Sequence, residues 1–577
     1  MTTDAPTKRW LFGFDKFQLV AFALLGLMAA NLVSVTIKKS ITADEVVLIP
    51  AAYYHWVADD VHLVGQHPPL SKLLAGFPLL FLQPQEAAPD QIDPAATGDN
   101  REWAYTMRFW QDNRPRFDAI CFWSRIPMIA LTIVLGIVVF AFARELFGGL
   151  GGVLAVGLFS LEPTILAHGR VVQTDMPAAF GFVLTLCLLD RYVRKPTWKH
   201  AAAVGAAAAI AMLAKYSMLF LGPLLLVLLV ARVLTRRKEA RATLVHAVVA
   251  FLALILVINA AYFFHHRALT ERDLSWIAAS FPAIGSFLSA GVRVFQWLLP
   301  TDFIMGVYWQ LKHSKDGHPA GLLGMHGDHG WWYYFPVAFA LKTTVPFLLL
   351  SLGGLGWAGW RAFRPAGARL FIVLAPLVIY TALMLITPIN IGVRYYLPGY
   401  ILLVLLAGGL LAELSRLRQG PMRMASVAVS VGLLSWVGVE AVRAYPNHMS
   451  YLNQFASSRP HWWYLSDSNV EWGDDVKLLG DWLRARGETR VRALLLGGFV
   501  TLDFYGVNYV DALSNSSPVP RYTALGASFL NGSTVPPYAV DGKPVADNIR
   551  VNTFDSYRHR KPEAIIGGSI YVYRDRD

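Results

Sequence analysis

Two adjacent carboxylates, Asp44 and Glu45, follow Thr42 a few residues beyond the first long apolar run, and His67-Pro68-Pro69-Leu70 comes shortly after. An unpaired acid is costly inside a bilayer, which places the pair at a water interface. There a carboxylate acts as a general base, taking the proton from an attacking hydroxyl. The same residues also read as an ordinary helix start, with Thr42 as N-cap and both acids facing the positive end of the dipole. A second set of charges, Arg170, Asp175, Lys215, Lys342 and Arg394, falls at or near the ends of apolar runs. Such cations neutralise a phosphate at a membrane surface through charge-assisted hydrogen bonds. Taken singly, each also fits a side chain snorkelling from a helix end. As a set they suit a substrate that joins a lipid phosphate to a sugar.

The elements that position these residues are membrane helices. The chain has 577 residues, 55% hydrophobic and 16% charged, with a mean hydropathy of +0.42, whereas soluble domains run about 25% charged. About eleven spans of bilayer length or slightly less are predicted, near 17–37, 122–143, 150–167, 176–193, 200–214, 216–233, 243–264, 335–359, 369–387, 395–414 and 423–442. The first is too long for a signal-peptide core and has no small-residue cleavage site, so it reads as a retained helix. Basic clusters mark alternate loops: Lys8 and Arg9; Arg191, Arg194, Lys195 and Lys199; Arg232, Arg236, Arg237, Lys238 and Arg241; Arg361, Arg364 and Arg369; and Arg416, Arg418 and Arg423. That pattern puts the N-terminus in the cytoplasm and the C-terminus outside it. Lys38 and Lys39 fall on the other side, at the start of a loop that carries more acids than bases. The net charge of +12 is thus spent on topology, which excludes nucleic acid as the partner. Cys121 and Cys187 give no disulfide framework.

The chain therefore divides into a transmembrane domain, 1–442, with outer loops at 38–121 and 265–334, and an extracytoplasmic tail, 443–577. Within the first loop, Gln83 to Asn100 reads as irregular. Trp103, Met107 and Trp110, with Phe109 beside them, form a helix lying on the membrane surface. The tail reads as a small α/β domain. Val476, Leu479 and Leu483 line one face of a helix over Gly473 to Arg486, and strands follow at Val491–Leu496 and Ser569–Tyr573. The tail is expected to fold over the catalytic face and shape acceptor choice.

Several of these segments together resemble one family. They are Asp44-Glu45, His67-Pro68-Pro69-Leu70, Gly169-Arg170 with Thr174-Asp175-Met176-Pro177, and Arg394-Tyr395 with Pro398. Gly330 to Pro336 followed by Lys342, and Asp467 to Asp475 in the tail, complete the set. The chain resembles the bacterial relatives of the protein O-mannosyltransferases from about residue 17 to about 490, a group within the glycosyltransferase C superfamily that includes the lipid A aminoarabinose transferase. The resemblance implies a polytopic helical fold of the glycosyltransferase C type and a polyprenyl-phosphate-linked sugar as donor. It implies Asp44 as catalytic carboxylate with Glu45 beside it, and Asp175 as a second acid. Arg394 and Lys342 are implied as donor-phosphate ligands, with Arg170 and Lys215 in the same cationic set. His67 and Lys72 are equal candidates for a further phosphate contact. The mannosyltransferases carry sugar-binding-type domains in a luminal loop; here a C-terminal tail stands instead, so the acceptor is left open among lipid, glycan and protein. The reaction implied is one displacement at the anomeric carbon, with inversion, at the outer face of a bacterial inner membrane.

Other signals carry alternatives. Trp462 and Trp463 stack on an acceptor sugar or anchor the tail at the interface. Asp467, Asn469 and Trp472 lie in a segment that binds a glycan or a divalent ion, or simply leads into the next helix. His313, Asp316, His318, His326, Asp328 and His329 have chelating types at close spacing in a Gly-rich loop, but no metal site is assigned and no cofactor is implied. A glycolipid transporter, with ionisable groups at midplane and paired halves, and a non-catalytic glycan-binding scaffold are the competing functions.

Overall fold

The computed structural model describes residues 14–86, 99–365, 367–416, 421–514, 519–540 and 542–575. Lys8, Arg9, Arg418 and the greater part of the irregular stretch after Gln83 lie outside the described residues, as does the side chain of Arg423.

The protein is a helical membrane protein. Among the described residues eight helices are long and apolar enough to cross a membrane: Lys16–Lys38, Arg114–Leu161, Asp175–Arg194, Tyr216–Thr235, Arg237–Ala261, Ala368–Ile386, Val393–Leu414 and Met424–Ala444. Phe117–Leu161 holds the two helices predicted at 122–143 and 150–167; they meet at Gly148 and fold back on each other, so that a Cβ on Gly152 would lie 3.0 Å from the Phe140 carbonyl oxygen. The break has φ 83°, a conformation that costs glycine little. Helices Trp198–Ala214, Tyr334–Lys342 and Val345–Ala362 stand where two further spans were predicted.

In lipid there is no hydrophobic drive to bring helices together, so packing relies on small residues that let backbones approach. A Cβ on Gly205 would fall 1.9 Å from the Ala250 carbonyl oxygen, and one on Gly408 would fall 2.7 Å from the Ala155 nitrogen. Leu397–Leu414 is the central helix, buried along most of its length against Phe117–Leu161 and Val345–Ala362. Leu226, Val227, Leu252 and Leu256 on the peripheral helices are exposed and form the lipid face.

At one end of the bundle sit two long loops and the tail. The first loop opens with helix Ala43–Val57; the second folds as Glu271–Ser280, Gly285–Phe295, Thr301–Asp316 and a short hairpin pairing Ala320–Leu322 with Met325–Gly327. The tail is a small domain with a five-stranded mixed sheet, in the order Asn508–Asp511, Arg490–Leu494, Tyr522–Gly526, Ile570–Arg574, Ala564–Ile566. Its first three strands run parallel, and Ile570–Arg574 pairs antiparallel with both Tyr522–Gly526 and Ala564–Ile566. Val476, Leu479 and Leu483 of helix Val476–Arg484 are fully buried in its core. The surface helix expected at Trp103–Trp110 is Asp99–Asp112 and docks on protein instead. Tyr105, Phe109 and Trp110 are buried, and Trp110 Nε1 donates to the Val46 carbonyl at 2.8 Å. Aromatic side chains of the tail, Phe504 above all, complete the packing where water or lipid was expected.

Candidate active site

The site is built on helix Ala43–Val57. Thr42 caps it, and a reciprocal capping box forms as Thr42 N–H donates to Glu45 Oε2 at 2.7 Å. The helix start therefore exists as the plainer reading had it, and it turns the two acids in different directions. Glu45 is fully buried. Arg125 donates to it at 2.7 and 2.5 Å, and Val172 N–H adds a third donor at 2.9 Å. Asp44 keeps 31% of its side chain exposed.

Asp44 ends an alternating chain of charges. Arg394 Nη1 donates to Asp44 Oδ2 at 2.8 Å and lies 3.6 Å from Asp175 Oδ2. Asp175, at the start of helix Asp175–Arg194, pairs with Lys215 at the end of Trp198–Ala214. The Lys215 ammonium sits 3.2 Å above the Tyr395 ring, and the Arg394 guanidinium 4.1 Å above Trp472. Trp472 Nε1 reaches Asp44 Oδ1 at 3.3 Å. Four segments far apart in sequence thus meet the tail in one chain of charges. Within this chain of charges, Asp44 and Lys215 are the less buried ends.

The remaining predicted cations are committed to protein. Lys72 is buried and donates to the carbonyls of Leu63, Val64 and His67 at 3.3, 2.7 and 2.9 Å. Lys342 is buried and donates to Met449 and Asn469 carbonyls, both at 2.6 Å. Arg170 donates to Asp474 at 2.7 Å, both groups sealed from solvent. His67 is half-buried within the field of Asp44, Lys72, Arg394 and Lys215, and burial pushes its pKa down to about 4, so it stays neutral.

The tail segment 467–475 is threaded into the bundle. Ser40 N–H donates to the Asp474 carbonyl at 2.9 Å and Ala43 N–H to the Trp472 carbonyl at 2.8 Å. Lys39 and Asp475 form a buried ion pair. Asn469 accepts from Val393 N–H at 2.9 Å, one residue before Arg394, and donates to the Tyr334 hydroxyl at 2.8 Å. Asp467 is half-buried with a left-handed φ of 53°. Burial pushes its pKa up, against the pull of His318 and Arg394. Trp462 and Trp463 line a separate cavity of about 350 Å³ with Arg459, Asn531 and Arg558.

In the His-rich loop, the His313 and His318 rings meet at 3.3 Å and His326 turns to the Asn531 carbonyl at 2.7 Å. Among the described residues no group of three His, Cys, Asp or Glu is placed to hold a metal ion. Sequence reading passed over Arg125 and Glu162. Each is an ionisable residue in or at the end of an apolar span, itself a signal. Glu162 accepts from Thr344 N–H, Thr344 Oγ1 and Tyr400 Oη at 3.0, 2.7 and 2.8 Å.

Comparison with known proteins gives a family match over part of the chain. The family model described as dolichyl-phosphate-mannose-protein mannosyltransferase matches residues 120–263, a stretch that holds Arg125, Arg170, Asp175 and Lys215. No curated protein matches in sequence. Among solved structures, ArnT from Cupriavidus metallidurans bound to undecaprenyl phosphate is similar at 14% identity, over 92% of this chain and 96% of that one, with a TM-score of 0.46. The oligosaccharyltransferase of Archaeoglobus fulgidus in the apo form is similar at 11% identity, over 89% of this chain and 62% of that one, with a TM-score of 0.45. Residues 120–263 are thus similar to the dolichyl-phosphate-mannose-protein mannosyltransferases.

Proposed function

We propose that this protein is a membrane glycosyltransferase that moves a sugar from a polyprenyl-phosphate-linked donor to a hydroxyl acceptor, with inversion, on the extracytoplasmic face. The observation that carries this reading is the chain Lys215–Asp175–Arg394–Asp44, which ends in an accessible carboxylate. The acceptor hydroxyl attacks the anomeric carbon opposite the phosphate as its proton passes to Asp44. The glycosyl–phosphate bond breaks, and polyprenyl phosphate leaves with its charge held by Arg394 and Lys215. Trp472 and Arg394 hold one oxygen each of Asp44, so the base is oriented before the acceptor arrives. Asp175 orients both cations. Glu45, Lys72 and Lys342 support the loops that carry the site, because they are engaged by protein partners, and Arg170 does so through its buried pairing with Asp474.

The opposite end of helix Asp175–Arg194 supports the sidedness. Arg191, Arg194 and Arg369 gather there around Glu145 and Asp190, and such basic clusters mark the cytoplasmic side. In a bacterium this is the inner membrane, with lipid, glycan or protein as acceptor. The test is sugar release and transfer by the purified full-length protein, supplied with undecaprenyl-phosphate-linked glucose, mannose and N-acetylglucosamine. Turnover of one donor by wild type and none by Asp44→Asn supports the reading; equal turnover by both proteins overturns it.

A further inference from the structure

Between Asp273 and Asp302 the second long loop carries a single ionisable residue, Arg293. The stretch completes Glu271–Ser280 and then folds as the eleven-residue helix Gly285–Phe295. One face of that helix is covered by protein. Leu288 and Val292 pack with Ile277, Phe281 and Ile304, and the Tyr308 hydroxyl donates to the Leu288 carbonyl at 3.1 Å. The opposite face is apolar as well. Phe287, Val294 and Trp297 are 77%, 66% and 85% exposed, and Ile284 and Phe295 are exposed beside them. Ile284 lies just before the helix and Trp297 just after it, and at helical spacing they continue the stripe of Phe287 and Val294. Ser286 and Arg293, seven positions apart, run along one edge of it. A helix apolar on both faces belongs where both are withdrawn from water, and an open apolar patch marks a surface that something covers.

The height of the helix in the molecule selects lipid as the cover. Asn259, in the last turn of span Arg237–Ala261, donates Nδ2–H to the Leu298 carbonyl at 3.0 Å, and the His266 ring bonds the Gln296 carbonyl at 2.7 Å. The end of the helix is thereby fastened where that span leaves the bilayer, and Leu252 and Leu256 of the same span are exposed to lipid. Trp297 stands at this level, where indoles concentrate in membrane proteins. At ~1.5 Å per residue the helix is about 16 Å long, too short for a hydrocarbon core of about 30 Å, so it lies along the surface instead of crossing it. Arg293, on the edge of the stripe, suits the lipid phosphates above the acyl chains. The buried side ties this seat to the ion chain. Ile304 packs in the same cluster as Val292, and its neighbour Phe303 packs its ring on Tyr216, next to Lys215.

We propose that Gly285–Phe295 lies in the membrane interface at the ion-chain end of the bundle, with Phe287, Val294 and Trp297 among the acyl chains, and so seats the second long loop on the lipid surface. This holds whether or not the protein transfers a sugar. The test places one cysteine at a time, Phe287→Cys, Val294→Cys or Trp297→Cys, in the full-length protein, whose own Cys121 and Cys187 are buried. Arg272→Cys, at the exposed polar start of the preceding helix, is the reference in water. Each variant is spin-labelled and reconstituted into vesicles of phosphatidylethanolamine and phosphatidylglycerol. The label is then relaxed with oxygen, which concentrates in acyl chains, or with a water-soluble nickel chelate. At 287, 294 and 297 oxygen should relax the label more than the chelate does, the reverse of position 272. Chelate access at these three positions equal to that at 272 overturns the inference. Low access to both reagents overturns it too, since a second copy or another segment of the chain then covers the face.

Discussion

At the residue scale, Asp44 stays 31% exposed while Glu45, one position later, is sealed against Arg125. On the proposed function the first exchanges a proton with the acceptor and the second is a strut. Asp44→Asn is expected to lower kcat by about 10²–10⁴, the usual worth of a general base, while binding of undecaprenyl phosphate persists. Glu45→Gln leaves a buried guanidinium without its counter-charge, which typically costs about 3–5 kcal/mol. It should appear as a lower melting temperature before any kinetic effect; a variant of full stability and no activity would return Glu45 to the chemistry. The cations separate in the same way. Arg394→Ala should raise donor KM, because phosphate needs its partner in ground and transition state alike. Lys342→Met should leave donor KM unchanged and lower stability, since it strips two buried carbonyls of their donor.

At the element scale, the segment 467–475 explains how a tail assists a membrane site. It is fastened at both backbone and side chain: carbonyls 472 and 474 accept from the first loop, and Asp474 and Asp475 pair with Arg170 and Lys39. Glu471 fastens the other side, accepting from Leu496 N–H at 2.9 Å and Ser528 N–H at 2.8 Å. Burial raises its pKa from 4.5 to about 7. A carboxyl raised in the folded state contributes stability that is fully present below its unfolded pKa and lost as pH rises through the folded one. Thermal stability should therefore fall between pH 4.5 and about 7 on this account, and Glu471→Gln should flatten that slope. A slope in the variant equal to that of wild type would remove Glu471 as its source.

At the scale of the whole molecule, the bundle end, the first loop and the tail are tied together by backbone bonds and buried ion pairs. Deleting residues 460–577 removes Trp472 from Asp44 and frees Ser40 and Ala43 from their acceptors. Transfer to every acceptor should then fail, and donor binding should weaken with it, where an accessory tail would spare the donor. The sidedness is checked by protease access to a tag at the C-terminus, which should be cut from outside spheroplasts and protected from the cytoplasmic side.

The sequence by itself determined the helical membrane architecture, since apolar length and basic-loop periodicity are local quantities that need no tertiary contact. It also singled out Asp44, Asp175, Lys215 and Arg394, because a charge at the end of an apolar run is conspicuous wherever it points. Local pattern likewise marked the amphipathic helix expected over 473–486, whose Val476, Leu479 and Leu483 are buried in the tail core. Only the tertiary structure decided which charges stay partly open and which are sealed against protein partners. Lys72, Lys342 and Arg170 carry the same signal as Arg394, yet they are spent on carbonyls and on Asp474 contributed from distant parts of the chain. Arg125 stood inside a span with no visible partner until the fold brought Glu45 to it across 80 residues. Which helix ends meet is set by close packing at Gly205 and Gly408 and by the tail's backbone bonds. Hydrophobic periodicity reports neither, because it says which face is buried and not against what.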